Sequence, residues 1–326
     1  MKNKEKSKQK DELGGGQGRI SRRGFLKGAG IAAGCVALSG LVKVPSALAA
    51  EDFQGYPDRY GMLTDITMCV GCRMCEFGCA KANHLPEPKY PPATSAVFET
   101  KRRTDANTFT VVNRYTNPVS GEPVYRKQQC MHCNEPACAS ACLVAALKKN
   151  PEGQVTYNEN VCIGCRYCMV ACPFNGLTYE YDDAATPAIR KCWMCFERFQ
   201  QGLIPAFAEI CPTKATIFGK RSDLLKIAKD RIAERPDLYV DHIYGETEVG
   251  GTGWMYISSV PFDLLGLPGN LGKTPYPEYT RDFLLGVPLV LTMWPGLLAG
   301  VNALIKRKER LAQDQGSGKH EGQVKK

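Results

Sequence analysis

All but one of the sixteen cysteines stand in four groups whose spacing suits few kinds of chemistry. The first group is Cys69, Cys72, Cys75 and Cys79; the second is Cys130, Cys133, Cys138 and Cys142. The third is Cys162, Cys165, Cys168 and Cys172, and the fourth is broken, with Cys192 and Cys195 followed at a distance by Cys211. The first and third groups read C-x2-C-x2-C-x3-C, a spacing that lets three thiolates wrap one iron–sulfur core while the fourth reaches a neighbouring core. Gly71 and Gly164 supply the tight bends such a loop needs. Structural zinc would favour isolated C-x2-C pairs over runs of four. A disulfide scaffold suits an exported chain, but cysteines two residues apart cannot easily all find distant partners. The pattern predicts iron–sulfur clusters.

Residues around the groups carry secondary expectations. Arg126, Lys127, Arg166, Arg190 and Lys191 flank them and are expected to be mostly solvated surface, although positive charge beside a cluster favours its reduced form. Phe77, Tyr167, Phe174 and Trp193 are expected to exclude water rather than relay electrons. His132, inside the second group, is expected to hydrogen-bond rather than to ligate. The chain has four histidines, His84, His132, His242 and His320, and no C-x-x-C-H haem attachment sequence. No Walker loop or dinucleotide fingerprint follows a predicted strand, and no catalytic constellation is visible, so the chain reads as a non-catalytic subunit.

The net charge of +9 sits at the two ends. Residues 1–49 hold ten Lys/Arg against three Asp/Glu, and residues 306–326 seven against three, while the body holds 25 against 27. Nothing there suggests a nucleic-acid surface. Ser21-Arg22-Arg23-Gly24-Phe25-Leu26-Lys27 matches a twin-arginine export signal. A short apolar stretch containing Cys35 follows, then an Ala47-Leu48-Ala49 cleavage site. Such export carries folded proteins, which suits a chain loaded with clusters in the cytoplasm and resident outside it. Phe283 to Ile305 is uncharged and long enough to span a bilayer with some tilt. Lys306-Arg307-Lys308-Glu309-Arg310 follows, so the positive-inside rule puts the C-terminus in the cytoplasm and the body on the periplasmic face. Gly296 and Gly300 offer a small face to another helix.

The expected fold is α+β: two nested ferredoxin-like modules, with one C-terminal transmembrane helix. Residues 1–49 form the signal, 50–235 the four-cluster domain, 236–280 a loop-rich extension, 281–306 the anchor and 307–326 a cytoplasmic tail. An insertion at 81–129 should hold a hairpin, because Phe109, Val111, Asn113 and Tyr115 alternate before an Asn117–Gly121 turn. Ser222 is expected to cap a helix through Ala233 that buries Leu224, Leu225, Ile227, Ala228 and Ile232. A short strand is expected around Trp254 to Ser258.

The cysteine groups, leader and anchor together resemble the four-cluster ferredoxin-type iron–sulfur subunits of membrane respiratory complexes, of the formate dehydrogenase and dimethyl sulfoxide reductase type. RKQQCMHCNEPACASAC, GCRYCMVACPFN and HIYGETEVGGT look closer to the hydrogenase-2 type subunit. They look closer still to the iron–sulfur subunit of the high-molecular-weight cytochrome c complex of sulfate reducers. The resemblance implies electron relay between a periplasmic hydrogenase or multihaem cytochrome c and a membrane quinone-reactive or cytochrome subunit. It also implies ligand sets: Cys69, Cys72, Cys75 and Cys211; Cys130, Cys133, Cys138 and Cys172; Cys162, Cys165, Cys168 and Cys142. The fourth would join Cys79, Cys192 and Cys195 to a cysteine that this chain lacks, because Phe207 replaces the expected sixteenth ligand. Three [4Fe-4S] clusters are therefore implied, with a fourth site that is [3Fe-4S], altered or empty. The alternative function is a redox sensor or cluster-assembly factor.

Overall fold

The computed structural model describes Tyr56, residues 58–183 and residues 187–317. These belong to one unit, Gln54–Lys326; the expected export signal over 1–49, with Cys35, lies outside the described residues. In chain order the elements are β1 (Tyr60–Asp65), α1 (Met74–Ala82), β2 (Val111–Thr116), β3 (Pro123–Gln128), α2 (Ala137–Ser140), β4 (Leu147–Lys149), β5 (Val155–Tyr157) and α3 (Tyr167–Ala171). They continue with β6 (Thr178–Tyr179), β7 (Ile189–Arg190), α4 (Phe196–Gln200), α5 (Ala206–Glu209), β8 (Thr216–Lys220), α6 (Arg221–Glu234), β9 (Trp254–Ile257) and α7 (Tyr276–Ser317).

The central sheet is β8-β1-β9, with β1 antiparallel to β8 and parallel to β9. Successive side chains of a strand point to opposite faces, and that alternation divides the interior. Met62, Trp254 and Tyr256 enter a core that also contains Cys195 and Phe207. Leu63, Met255 and Ile257 enter a second one, under Leu224 and Ala228 of α6. All four residues of β9 are buried, as expected of a strand covered on both faces. The loop-rich extension thus supplies a core strand, and Trp254 Nε1 donates to Thr64 Oγ1 at 2.9 Å.

The expected hairpin is present, in register from Val111 opposite Gln128 to Thr116 opposite Pro123. Its turn is held by Asn117 Oδ1, which accepts from Val119 N–H at 2.9 Å. α6 differs from expectation in two details. Ser222 lies inside the helix, whose N-cap position is Lys220, and its hydroxyl bonds Asp223 instead of capping. Ile227 faces outward, whereas Arg221 is buried and donates to the carbonyls of Thr252, Gly245 and Glu246. Arg221 satisfies three carbonyls of the loop leading into β9, a role that hydrophobic periodicity does not reveal.

α7 is longer than the apolar stretch that predicts it, because the good helix formers of Lys306–Arg310 continue it. Within Tyr276–Ala312 its most apolar 18 residues have a mean hydropathy of 1.8, and the helix is long and apolar enough to cross a membrane. Phe283, Leu291, Trp294 and Leu304 are among its exposed apolar side chains. Thr292 Oγ1 donates to the carbonyls of Pro288 and Leu289 at 3.0 Å each, beside the prolines that interrupt the ladder.

The start of α1 is fixed by a buried ionic network. Arg73 takes a left-handed conformation at φ 63 immediately before the helix, and its guanidinium pairs with Glu76. Glu76 also binds Arg102 and accepts from Val112 N–H at 2.8 Å, tying α1 to the hairpin. Both side chains of the Arg73–Glu76 pair have no exposed surface. Removing one partner of such a pair leaves an uncompensated buried charge. Glu76→Ala is expected to destabilise the protein by about 3–5 kcal/mol, measured as a lower denaturant midpoint; a midpoint unchanged from wild type would contradict this role.

Candidate metal centres

The first and third cysteine groups are built alike. A single 3-10 turn, Ile66–Met68 or Glu159–Val161, is capped by an Asx side chain, Asp65 or Asn158. The chain then bends through Gly71 at φ 70 or Gly164 at φ 67 and enters α1 or α3 from a left-handed arginine, Arg73 or Arg166. A Cβ on Gly71 would lie 2.4 Å from the Tyr125 ring, so this bend needs glycine for space as well as for φ.

The fold brings cysteines from distant groups into four sets. Burial pushes Cys69 up to about 11, and the neighbouring thiols that raise it further are Cys211 and Cys72. With Cys75 these line one cavity, together with Thr64 and Lys127. Burial likewise raises Cys133, whose neighbours are Cys172, Cys130 and Cys138. Cys168, raised by burial to about 11, faces Cys142, Cys162 and Cys165 around a second cavity. Cys79, also raised by burial, faces Cys192 and Cys195. All fifteen described cysteines are accounted for, and none is in a disulfide.

These sets lie in a row. Cys75 of the first neighbours Cys79 of the fourth. Cys79 and Cys192 of the fourth pack with Cys130 of the second. Cys138 of the second packs with Cys168 of the third. The order is first, fourth, second, third, and only Cys165, in the third, is exposed.

The sets suit polynuclear cores better than single ions. A tetrahedral zinc site draws its sulfurs to within about 4 Å of one another; among the described residues no three His, Cys, Asp or Glu side chains are arranged to hold one ion. Donors also aim at sulfur, as thiolates bound to iron require. Backbone N–H groups of Ala146, Gly164, Gly176 and Met194 reach Cys142, Cys162, Cys172 and Cys192 at 3.1–3.4 Å. Asn83 Nδ2 reaches Cys79 at 3.5 Å. His132 is wholly buried; its Nδ1 accepts from Val155 N–H at 3.0 Å, so Nε2 carries the proton and has no partner. That orphaned donor inside a cysteine group fits a sulfur acceptor. Burial, and then Lys191, Lys149 and Lys127, hold the imidazole pKa well down, so it stays neutral.

Comparison with known proteins gives the same chemistry. Residues 122–221 match the 4Fe-4S dicluster domain family. A protein of Nitratidesulfovibrio vulgaris is 50% identical across 91% of this chain and 80% of its own length. The hydrogenase-2 operon protein HybA of Escherichia coli O157:H7 is 34% identical across 93% of this chain and 100% of its own length. The chain belongs to the family of ferredoxin-type iron–sulfur subunits of respiratory complexes. The iron–sulfur subunit of the nitrate-inducible formate dehydrogenase of Escherichia coli K12 is 31% identical across 62% of this chain and 69% of its own length.

Within this subunit, Phe207 stands at a cysteine register. Pro136-Ala137-Cys138 is followed four residues on by Cys142, and Pro205-Ala206-Phe207 by Cys211 at the same spacing. Both stretches form a four-residue helix directly after the proline, α2 and α5. Phe207 is therefore the counterpart of Cys138, and it is buried, with its ring 5.1 Å from that of Trp254. The two proline-led stretches carry this correspondence in the sequence itself.

Several expectations about flanking residues need correction. Lys127, Lys191 and Arg126 are buried rather than solvated, because cluster-bearing loops pack around them. Lys191 donates to the carbonyls of Val155 and Cys192. Lys149, not singled out from sequence, donates to the carbonyls of His132, Cys133 and Gly153, and burial pulls its pKa down to about 7. Tyr167 is exposed, whereas Phe174 is buried and Trp193 packs edge-on against Phe109 at 5.0 Å.

The thiol pKa values give a sign to the pH response of metal-free protein. Burial raises Cys75 and Cys138 to about 12 and Cys192 to about 11, from 9.0. The folded chain thus holds these protons more tightly than the unfolded chain. Stability of the metal-free fold is complete below about pH 9 and falls as pH rises towards 11–12. Denaturant midpoints of the metal-free protein should drop across that window; a flat profile would contradict the buried thiols. Iron loading at pH 7, which needs thiolates, should release protons into a weakly buffered solution.

Proposed function

We propose that this chain is a non-catalytic wire, the electron-transfer subunit of a membrane-bound respiratory redox complex. Cys69, Cys72, Cys75 and Cys211 would hold one [4Fe-4S] cluster, as would Cys130, Cys133, Cys138 and Cys172, and Cys162, Cys165, Cys168 and Cys142. Cys79, Cys192 and Cys195 would hold a [3Fe-4S] cluster, with Phe207 unable to supply a fourth bond to iron. The domain is then two nested ferredoxin-like modules, the outer one closing on the first and last groups. Bound clusters supply reversible one-electron chemistry; the protein fixes their spacing, keeps water out and sets their potentials.

The observation that carries this reading is the single row of thiol sets. The three-thiol set is an interior member of that row, between the first and the second. Left empty, it would interrupt the path, which favours a filled three-iron site. The twin-arginine-like leader, the apolar α7 and the basic stretch after Ile305 support a body on the periplasmic face, anchored once, with a cytoplasmic C-terminus. Its partners in this reading are a periplasmic hydrogenase or multihaem cytochrome c and a membrane quinone-reactive or cytochrome subunit. Four neighbouring centres and an anchor fit a relay better than a sensor, which needs one labile site.

Anaerobically purified protein should contain iron and inorganic sulfide, absorb broadly near 400 nm and bleach on reduction. As isolated in the oxidised state it should give the electron paramagnetic resonance signal of a three-iron core. Phe207→Cys should abolish that signal and add a four-iron signal on reduction. A colourless, sulfide-free preparation would sink the reading, and spectra unmoved by Phe207→Cys would sink the three-iron assignment.

A further inference from the structure

We infer that the Lys127 ammonium, held against the paired rings of Phe207 and Trp254, sets the reduction potentials of the first and fourth centres together. The inference rests on the cluster assignment just proposed. Lys127 is buried, and its Nζ lies 4.4 Å from the centroid of each ring. Among the described residues its one hydrogen-bond acceptor is Gln129 Oε1, at 3.1 Å, and it pairs with no carboxylate. Its position is fixed from behind, since Tyr256 O–H donates to the Lys127 carbonyl at 2.9 Å and receives Gln129 Nε2 at 2.6 Å.

Lys127 lines the cavity of the first set with Cys69, Cys72, Cys75 and Cys211, and its charge acts on Cys69 and Cys75. The two rings it contacts share a packed core with Cys195 of the fourth set, and its charge acts also on Cys79, Cys192 and Cys195. Among the described residues no other buried lysine is placed at both sets; the charge of Lys191 falls on Cys138, and that of Lys149 on Cys133. A cation in a low-dielectric interior without a carboxylate needs other negative charge nearby. Thiolates and their cores provide it on two sides. On a third side the paired rings of Phe207 and Trp254 present negative quadrupole.

Phe207 thus acquires a role beyond the absence of a ligand. At the register of Cys138, a thiolate beside Lys127 would draw the ammonium towards the fourth set alone. A neutral ring binds the cation without neutralising it, so the charge remains shared between two centres. Phe207 and Trp254 are positioning residues for Lys127. A nearby positive charge favours the reduced, more negative form of a cluster, so Lys127 raises both potentials.

The test is a mediated potentiometric titration of the full, cluster-loaded protein, followed by electron paramagnetic resonance. In each step one cluster takes one electron from dithionite through a mediator dye, with no bond formed or broken. Lys127→Met should lower two of the four potentials, each by roughly tenfold in its reduction equilibrium, about 59 mV, and leave the other two in place. Lys127→Gln, which keeps a hydrogen bond to Gln129, serves as a second neutral variant should Met hinder folding and must shift the same pair. Lys127→Arg retains the charge and should keep most of the potential. Loaded neutral variants with unmoved potentials, an equal shift of all four, or an arginine variant that shifts as far as methionine would overturn the inference. Wild-type protein without clusters would instead overturn the assignment beneath it, and the inference with it.

Discussion

Positive charge without carboxylates is the constraint around which this interior is organised. Lys127 and Lys191 are buried, Lys149 is largely so, and none of the three has an acidic partner among the described residues. The buried carboxylates are committed elsewhere, Glu76 to Arg73 and Arg102, Asp65 to Arg231. Burying ammonium groups this way is costly unless negative charge lies close by. The thiol sets are the groups that surround them. As neutral thiols they would leave the lysines uncompensated; as thiolates on iron they balance them. Metal-free and metal-loaded chains therefore face opposite electrostatic problems. Metal-free, high thiol pKa values keep the sulfurs neutral, and the lysines carry the strain.

Closure of the row depends on contacts between residues far apart in sequence. Cys211 returns to Cys69 because β8, which begins five residues after it, pairs antiparallel with β1, which ends four residues before Cys69. β9, the short strand expected within the loop-rich extension, then adds to the other edge of β1. That strand brings Trp254 and Tyr256 beneath Lys127. The extension is consequently part of the site rather than a covering for it. Arg221 reinforces the arrangement by gripping the loop that leads into β9.

The sequence made the thiols, the hairpin, α6 and the apolar helix readable, because each rests on local spacing or periodicity. Cysteines in C-x2-C-x2-C spacing can do little but share a core, and Asn117–Gly121 can do little but turn. The missing ligand at Phe207 was also readable, through the family pattern and the internal repeat of Pro136-Ala137-Cys138. The partners of Lys127 were not. Its burial depends on a strand more than 120 residues later, and no local pattern distinguishes it from its solvated equivalents. Ser222 misled for a related reason: a good capping residue lost to Lys220 because β8 runs directly into the helix, fixing its start by strand geometry.

Cys165 alone among the described cysteines is exposed, and Ile163, Tyr167 and Val170 beside it are exposed as well. Dioxygen arriving from solvent would meet the third centre most readily, since the cysteines of the first, fourth and second sets are half-buried or buried. Damage in air would then begin at one tip and advance inward, so a partially decayed preparation is a shortened conductor rather than a uniformly weakened one. In an assembled complex that tip needs a cover, and whichever neighbour shields it from oxidation is also the one placed to exchange electrons with it.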